Sequence, residues 1–234
     1  MQKKKILIIP SDTPDPSYID TIISPLAFLE NEFSLHPIDS LSIMEELPNE
    51  QFYARWKEKM SQFIPHYDAF FGFSFGGVIL QQCFSLFTDL NKPIILFSAP
   101  SFADQSLKQK LNEVIALCKE YKVKEALQTL YQHVYYPNEI PQQPHQFTDN
   151  ELAAKRVIYG LERVLATDST SIIKENRVNH LHLIGELSHL VNKDNVIPPH
   201  QGTLLSVPEA GMRILRDNLP FCKKVILETL HGAI

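Results

Sequence analysis

Glycine is scarce, with eight in 234 residues, and the eight form neither a G-x-G-x-x-G string nor a P-loop. Both motifs cradle phosphate on backbone N–H groups, so their absence argues against nucleotide binding. Cysteine is scarcer still: Cys83, Cys118 and Cys222 are odd in number and widely spaced, with no C-x-x-C pair. That pattern excludes a disulfide framework and a cysteine-based zinc site, and it fits a reduced, cytoplasmic setting. No metal or other cofactor is expected. Positive charge is not in excess: the net charge is −5, and no polybasic run occurs beyond the first residues. Nucleic acid and anionic membrane are therefore poor partners. No window approaches the roughly 18 consecutive apolar residues that a bilayer span requires. Met1-Gln2-Lys3-Lys4-Lys5 resembles the basic start of a signal peptide, but the apolar stretch ends at Pro10, and Asp12 and Asp15 follow. It reads as a solvated lead-in to a first strand.

What remains is an ordinary globular composition, 44% hydrophobic and 21% charged, long enough for a sizeable core. Strand and helix patterns alternate along it. The runs from Lys5 to Pro10 and from Pro93 to Ser98 are continuous and apolar, suited to strands buried on both faces. Tyr67 to Phe71 and Asn179 to Gly185 are further strands, and Phe33 to Ile38 is a weaker one because of Pro37. Helical spacing runs from Ile19 to Glu30 with Pro25 as a fault, and from an N-cap at Asn49 to Ile64. It returns over Leu107–Tyr121, Val123–Tyr135 and Asp149–Ala166, with the proline-broken loop Pro137–Pro144 between the last two. Ser206 and Pro208 mark a helix start reaching about Leu219, and Cys222–Thr229 reads as the last strand. The alternation predicts an α/β fold: a mostly parallel sheet of about six strands with helices on both faces. Residues 1–234 form one domain on this reading, with a helical lid inserted at about 104–170.

One stretch carries chemistry. Gly72-Phe73-Ser74-Phe75-Gly76-Gly77 joins an apolar strand to a helical run, Val78 to Cys83. A G-x-S-x-G string in a strand–turn–helix context lifts the serine Oγ clear of the sheet edge, where the following helix aims N–H groups at a developing oxyanion. The plainer alternative is a glycine-rich turn with an incidental serine, and the flanking strand and helix favour the nucleophile. A serine hydroxyl needs a base to take its proton. Of nine histidines, His231 directly follows the run read as the last strand, where the order nucleophile, acid, base would place it. His189, after the strand ending at Gly185, is the competitor.

These features together resemble the α/β-hydrolase family over nearly the whole chain: the elbow, the helical lid, Gly185-Glu186-Leu187-Ser188-His189-Leu190-Val191 after a strand, and His231 near the end. The stretches Gly160–Asp168 and Leu183–Pro198 are similar to the small esterases that cleave the methyl ester of pimeloyl-acyl carrier protein in biotin synthesis, while type II thioesterases share the elbow. The resemblance implies a serine carboxylesterase or thioesterase that opens an acyl ester, free or carrier-protein-bound, through an acyl-enzyme on Ser74. It also implies a strand order of 4-3-5-6-7-8 in the family's numbering, beginning at the family's third strand and stopping before its final helix. Two departures stand out. The family's acid position is held by Ser188, leaving Asp194 as the acid, with Glu186 as an alternative. The usual His-Gly after the first strand is replaced by Pro10-Ser11-Asp12, so the oxyanion hole would be the N–H of Phe75 plus one from Ser11 or Asp12. Phe73 and Phe75, with Tyr131, Tyr135 and Tyr136, are expected to line an apolar acyl pocket. The same departures motivate a second reading, a non-catalytic member of the fold that binds a ligand or partner.

Overall fold

The computed structural model of the chain describes residues 3–141 and 149–232, and a sheet of six parallel strands organises them. In chain order the elements are β1 (Lys4–Ile9), α1 (Ile19–Ile23), β2 (Phe33–Pro37), α2 (Asn49–Phe63), β3 (Ala69–Phe73), α3 (Phe75–Gln82) and β4 (Ile94–Phe97). There follow α4 (Gln105–Lys119), α5 (Val123–Val134), α6 (Asn150–Leu165), α7 (Thr170–Glu175), β5 (Asn179–Gly185), β6 (Gln201–Val207), α8 (Ile214–Asp217) and α9 (Leu219–Leu230). The spatial order is β2-β1-β3-β4-β5-β6, every neighbouring pair parallel. Helices covering both faces explain why β3 and β4, at the middle of the sheet, carry no polar side chains.

Side-chain alternation splits the core in two. Leu7, Ile9, Phe70, Leu96 and Ile184 face α2 to α7, whereas Ile6, Ile8, Phe71, Ile95 and Leu183 face α8 and α9. Helix α6 is joined to the sheet side of the core by a buried cation: Arg156 donates to the carbonyl of Thr13 at 2.8 Å and to both carboxylate oxygens of Asp39 at 3.0 Å. This clamps α6 over the loops that leave β1 and β2. No helix among the described residues is long and apolar enough to cross a membrane.

Five expectations need correction. The final strand is β6, not Cys222–Thr229, and Ser206–Leu219 is a strand end, a turn and the short α8. Cys222–Thr229 lies inside α9, whose buried Cys222, Val225, Ile226 and Leu230 follow a helical period. Asn218 accepts the N–H of Phe221 as its N-cap, and Pro220 sits in its first turn, so start signals were present. A closing helix therefore exists where none was expected. Asn49 is the first residue of α2 and Pro48 its cap; the Asn49 side chain instead donates to the Ala166 carbonyl and accepts from Arg163. Ile19–Glu30 is not one helix but α1 followed by a 3-10 segment that begins with Ser24-Pro25. The predicted loop from Pro137 is irregular as far as Pro141, and residues 142–148 lie outside the described residues.

Candidate active site

Ser74 follows the last residue of β3 with φ 47° and ψ −113°, a left-handed backbone that costs a non-glycine residue on the order of 1–3 kcal/mol. Its N–H donates to the Phe97 carbonyl at 2.9 Å, and its carbonyl accepts from Val78 at 3.1 Å, fixing the turn between β4 and α3. The glycines make the turn possible. A Cβ on Gly76 would sit 2.0 Å from the Ile9 carbonyl oxygen, and one on Gly72 would sit 2.6 Å from the Cα of Gly77. Ser74 itself stays partly exposed at the carboxyl rim of the sheet.

The aromatics beside it pack into the core. Phe75 is fully buried and stacks on Phe52, and Phe73 stacks on Phe97 at 4.3 Å between ring centres. The sharp turn at Ser74 parts the two rings, Phe73 entering the core that faces α8 and α9 and Phe75 the core that faces α2 to α7. Tyr131 and Tyr135 stand edge to face on and just beyond α5, partly buried, while Tyr136 is exposed and stacks on His189 at 3.7 Å.

The neighbouring rim is built from the loops after β4, β5 and β6. Ser98 also takes a positive φ, 46°, and its Oγ donates to the Met212 carbonyl at 3.0 Å. Gly185 ends β5 against the loop after β6; a Cβ there would meet the Gly211 oxygen at 1.9 Å. Ser188 is buried, accepts the Val191 N–H at 3.2 Å, and sets its Oγ 3.9 Å from the sulfur of Met212.

The expected base and acid are elsewhere. His231 caps the end of α9, half exposed, with Nε2 3.1 Å from Glu32. It lines a cavity of about 510 Å³ together with Lys4, Ala69, Ile94 and Asn179, the first residues of four strands. That is the amino rim. The five residues of β3 separate it from Ser74 by roughly 15 Å at the usual rise per strand residue. The misplacement follows from reading α9 as a strand. Asp194 is exposed, and its carboxylate makes no hydrogen bond or ion pair among the described residues. Glu186 is spent on the backbone N–H of Glu209 at 3.0 Å. His189 is on the correct rim but exposed, its ring held on Tyr136.

The oxyanion segment is also altered. The loop after β1 passes over Gly76, which puts Ile9 and Pro10 beside the start of α3. The Asp12 carboxylate feels its own backbone N–H, one of the two alternatives, Ser11 or Asp12, expected to donate beside Phe75. Burial raises this carboxyl to about 6, against the lowering effects of that N–H and of Arg156.

No protein-family model matches the sequence, and no curated protein matches it. Solved structures do match. An α/β-hydrolase enzyme from a Medee basin deep-sea metagenome library superposes with a TM-score of 0.73 at 11% identity, covering 99% of this chain and 90% of the other. The esterase EaEST from Exiguobacterium antarcticum gives 0.70 at 13%, covering 99% and 93%, and MenH from S. aureus gives 0.67 at 13%, covering 99% and 95%. The fold is that of the α/β hydrolases. In an α/β-hydrolase fold the catalytic residues come in the order nucleophile, acid, base, each just past a strand end. Here those three stations follow β3, β5 and β6, the last strand. They hold Ser74, Ser188 and, in the loop Pro208–Arg213, no histidine at all. Met212 lies in that loop, its sulfur 3.9 Å from Ser188 Oγ. Sequence reasoning missed it because the helix expected from Ser206 to about Leu219 covers the end of β6 and the loop that carries Met212.

Proposed function

We propose that the chain is a ligand-binding protein of the α/β-hydrolase fold with no esterase turnover of its own. The observation that carries this reading is the Ser188–Met212 contact at 3.9 Å, standing where an acid would orient a base. A thioether has no proton to take or give near neutral pH, and a serine hydroxyl cannot stabilise an imidazolium. Ser74 then keeps its position but lacks the group that activates it. The own-amide bond of Asp12 supports the same reading, since a carboxylate at an oxyanion station opposes the charge that develops during acyl transfer. The expected result is that wild type and Ser74→Ala hydrolyse short p-nitrophenyl esters and acyl thioesters at equal, background rates. Turnover by the wild type that Ser74→Ala abolishes would overturn the reading.

One observation favours a second reading, that of a serine esterase or thioesterase acting on a free or carrier-protein-bound acyl chain. The strained backbone of Ser74 is retained intact, and strain of this kind concentrates at working sites. That enzyme would draw its base from His189, the histidine on the rim with Ser74. The pimeloyl-ester subtype belongs to this second reading.

A further inference from the structure

We infer that the chain pairs with a second copy of itself along β6, the two edge strands running antiparallel; this goes beyond the binding reading and does not depend on it. The sheet has two edges, and the sequence treats them differently. After β2 the N–H of Ile38 donates to the Ile8 carbonyl of β1, so by alternation Pro37 turns its missing donor outward. A proline at that place blunts the edge against another strand. No such device protects β6. Its run Gln201-Gly202-Thr203-Leu204-Leu205-Ser206-Val207 contains neither proline nor charge, pairs only with β5, and is half exposed from Thr203 to Ser206.

The strand's alternation decides which main-chain groups are free. The Val207 carbonyl accepts the Glu186 N–H at 3.1 Å on the β5 side, so Val207, Leu205 and Thr203 turn their main-chain groups to β5. Leu204 and Ser206 turn theirs outward, where they meet no partner among the described residues. A second copy suits this edge. A two-fold axis beside Leu205 sets Leu204 of each copy opposite Ser206 of the other, forming about four main-chain hydrogen bonds. The same register brings His200, which is exposed, beside the exposed Glu209 of the other copy, once at each end. Leu204 and Leu205 lean on the two different cores, so pairing covers both on opposite faces of the joined sheet. An edge of seven residues is about 23 Å long and by itself buries less area than a permanent dimer needs. The pairing is therefore reversible, with a dissociation constant on the order of 10–100 µM.

The test is sedimentation of the full chain from about 5 µM to about 500 µM, with amide hydrogen exchange read residue by residue at both extremes. The mass is expected to rise towards twice that of the monomer, and the Leu204 and Ser206 amides to exchange at least about 3-fold more slowly in the concentrated sample. The Thr203 and Leu205 amides, bonded to β5, should stay protected in both. Ser206→Lys places a charge on the edge and is expected to weaken self-association at least about 10-fold. The exchange measurement uses the wild type alone, so it stands even if the variant misfolds. A chain that stays monomeric throughout would leave the edge to a different partner and overturn the inference. So would a dimer whose Leu204 and Ser206 amides exchange as freely as in the dilute sample, or undiminished association of a folded Ser206→Lys.

Discussion

Placing aspartate at 188 and histidine at 212 together should raise hydrolysis of p-nitrophenyl acetate by about 100-fold or more over the wild type. The geometry behind this expectation is already built. Ser188 Oγ and Met212 Sδ lie 3.9 Å apart, so a carboxylate and an imidazole of similar reach would meet there. Ser98 holds the Met212 carbonyl at 3.0 Å, which fixes the direction from which a new side chain leaves the backbone. Ser74 already sits in its strained turn and needs no rearrangement. Removing a triad base from an active enzyme costs several orders of magnitude, and the strained serine without one retains only what binding and dipoles provide. Each single substitution should do much less than the pair, since an imidazole without its acid takes no fixed tautomer and an acid without imidazole has nothing to orient. Steady-state rates of the two single variants and the double variant check this. A double variant as inert as the wild type would mean that the stations are misassigned.

Acidification should destabilise the protein through two histidines on β5. His180 and His182 are almost completely buried; among the described residues, His180 Nε2 and both ring nitrogens of His182 lack hydrogen-bond partners. Burial lowers His180 to about 4, against a bond from Nδ1 to the Val178 carbonyl. Burial, and then the neighbouring His180, lowers His182 to about 3, tempered by the backbone of Ala99. The sign follows from where protons bind. Above the ordinary value of 6.5 both rings are neutral in the folded and unfolded chain, and their full contribution is present. Below it the unfolded chain takes up protons that the folded chain refuses, so stability falls as pH drops until the folded values of about 4 and 3 are reached. Between pH 7 and pH 5 the loss is about 2 kcal/mol per histidine. Asp12 works in the opposite direction, because its raised value lets the folded chain bind a proton in the same window; partly exposed, it offsets about 1 kcal/mol. Denaturant unfolding at the two pH values checks the sum, and His180→Leu and His182→Leu should each flatten the dependence by about 2 kcal/mol. An unchanged slope in both variants would contradict the assignment.

Most of the fold was legible because the central strands are unambiguous. Lys5–Pro10, Tyr67–Phe71 and Pro93–Ser98 carry no competing helical period, and the elbow glycines have one sensible use. The C-terminal part was not legible for a physical reason. Val225-Ile226-Leu227 is a β-branched apolar run, and such short runs do not separate a buried strand from a buried helix. Tertiary packing against Leu181, Leu183 and Val207 gives α9 its helical face, while β6, half exposed at the sheet edge, shows only a weak alternation. That single exchange moved the expected base to the opposite rim and concealed Met212. The departure at Ser188 was visible from its spacing after Gly185, but its meaning depended on what stood across from it.

The central claim is that Ser74 is presented without a base to activate it. Intact-mass analysis after exposure to a fluorophosphonate tests it directly, with Ser74→Ala as control and the Ser188→Asp, Met212→His double variant beside it. The account expects the wild type to remain unmodified under conditions that label the double variant at Ser74. Rapid, stoichiometric labelling of Ser74 in the wild type would show that some other group activates the hydroxyl, and would contradict it.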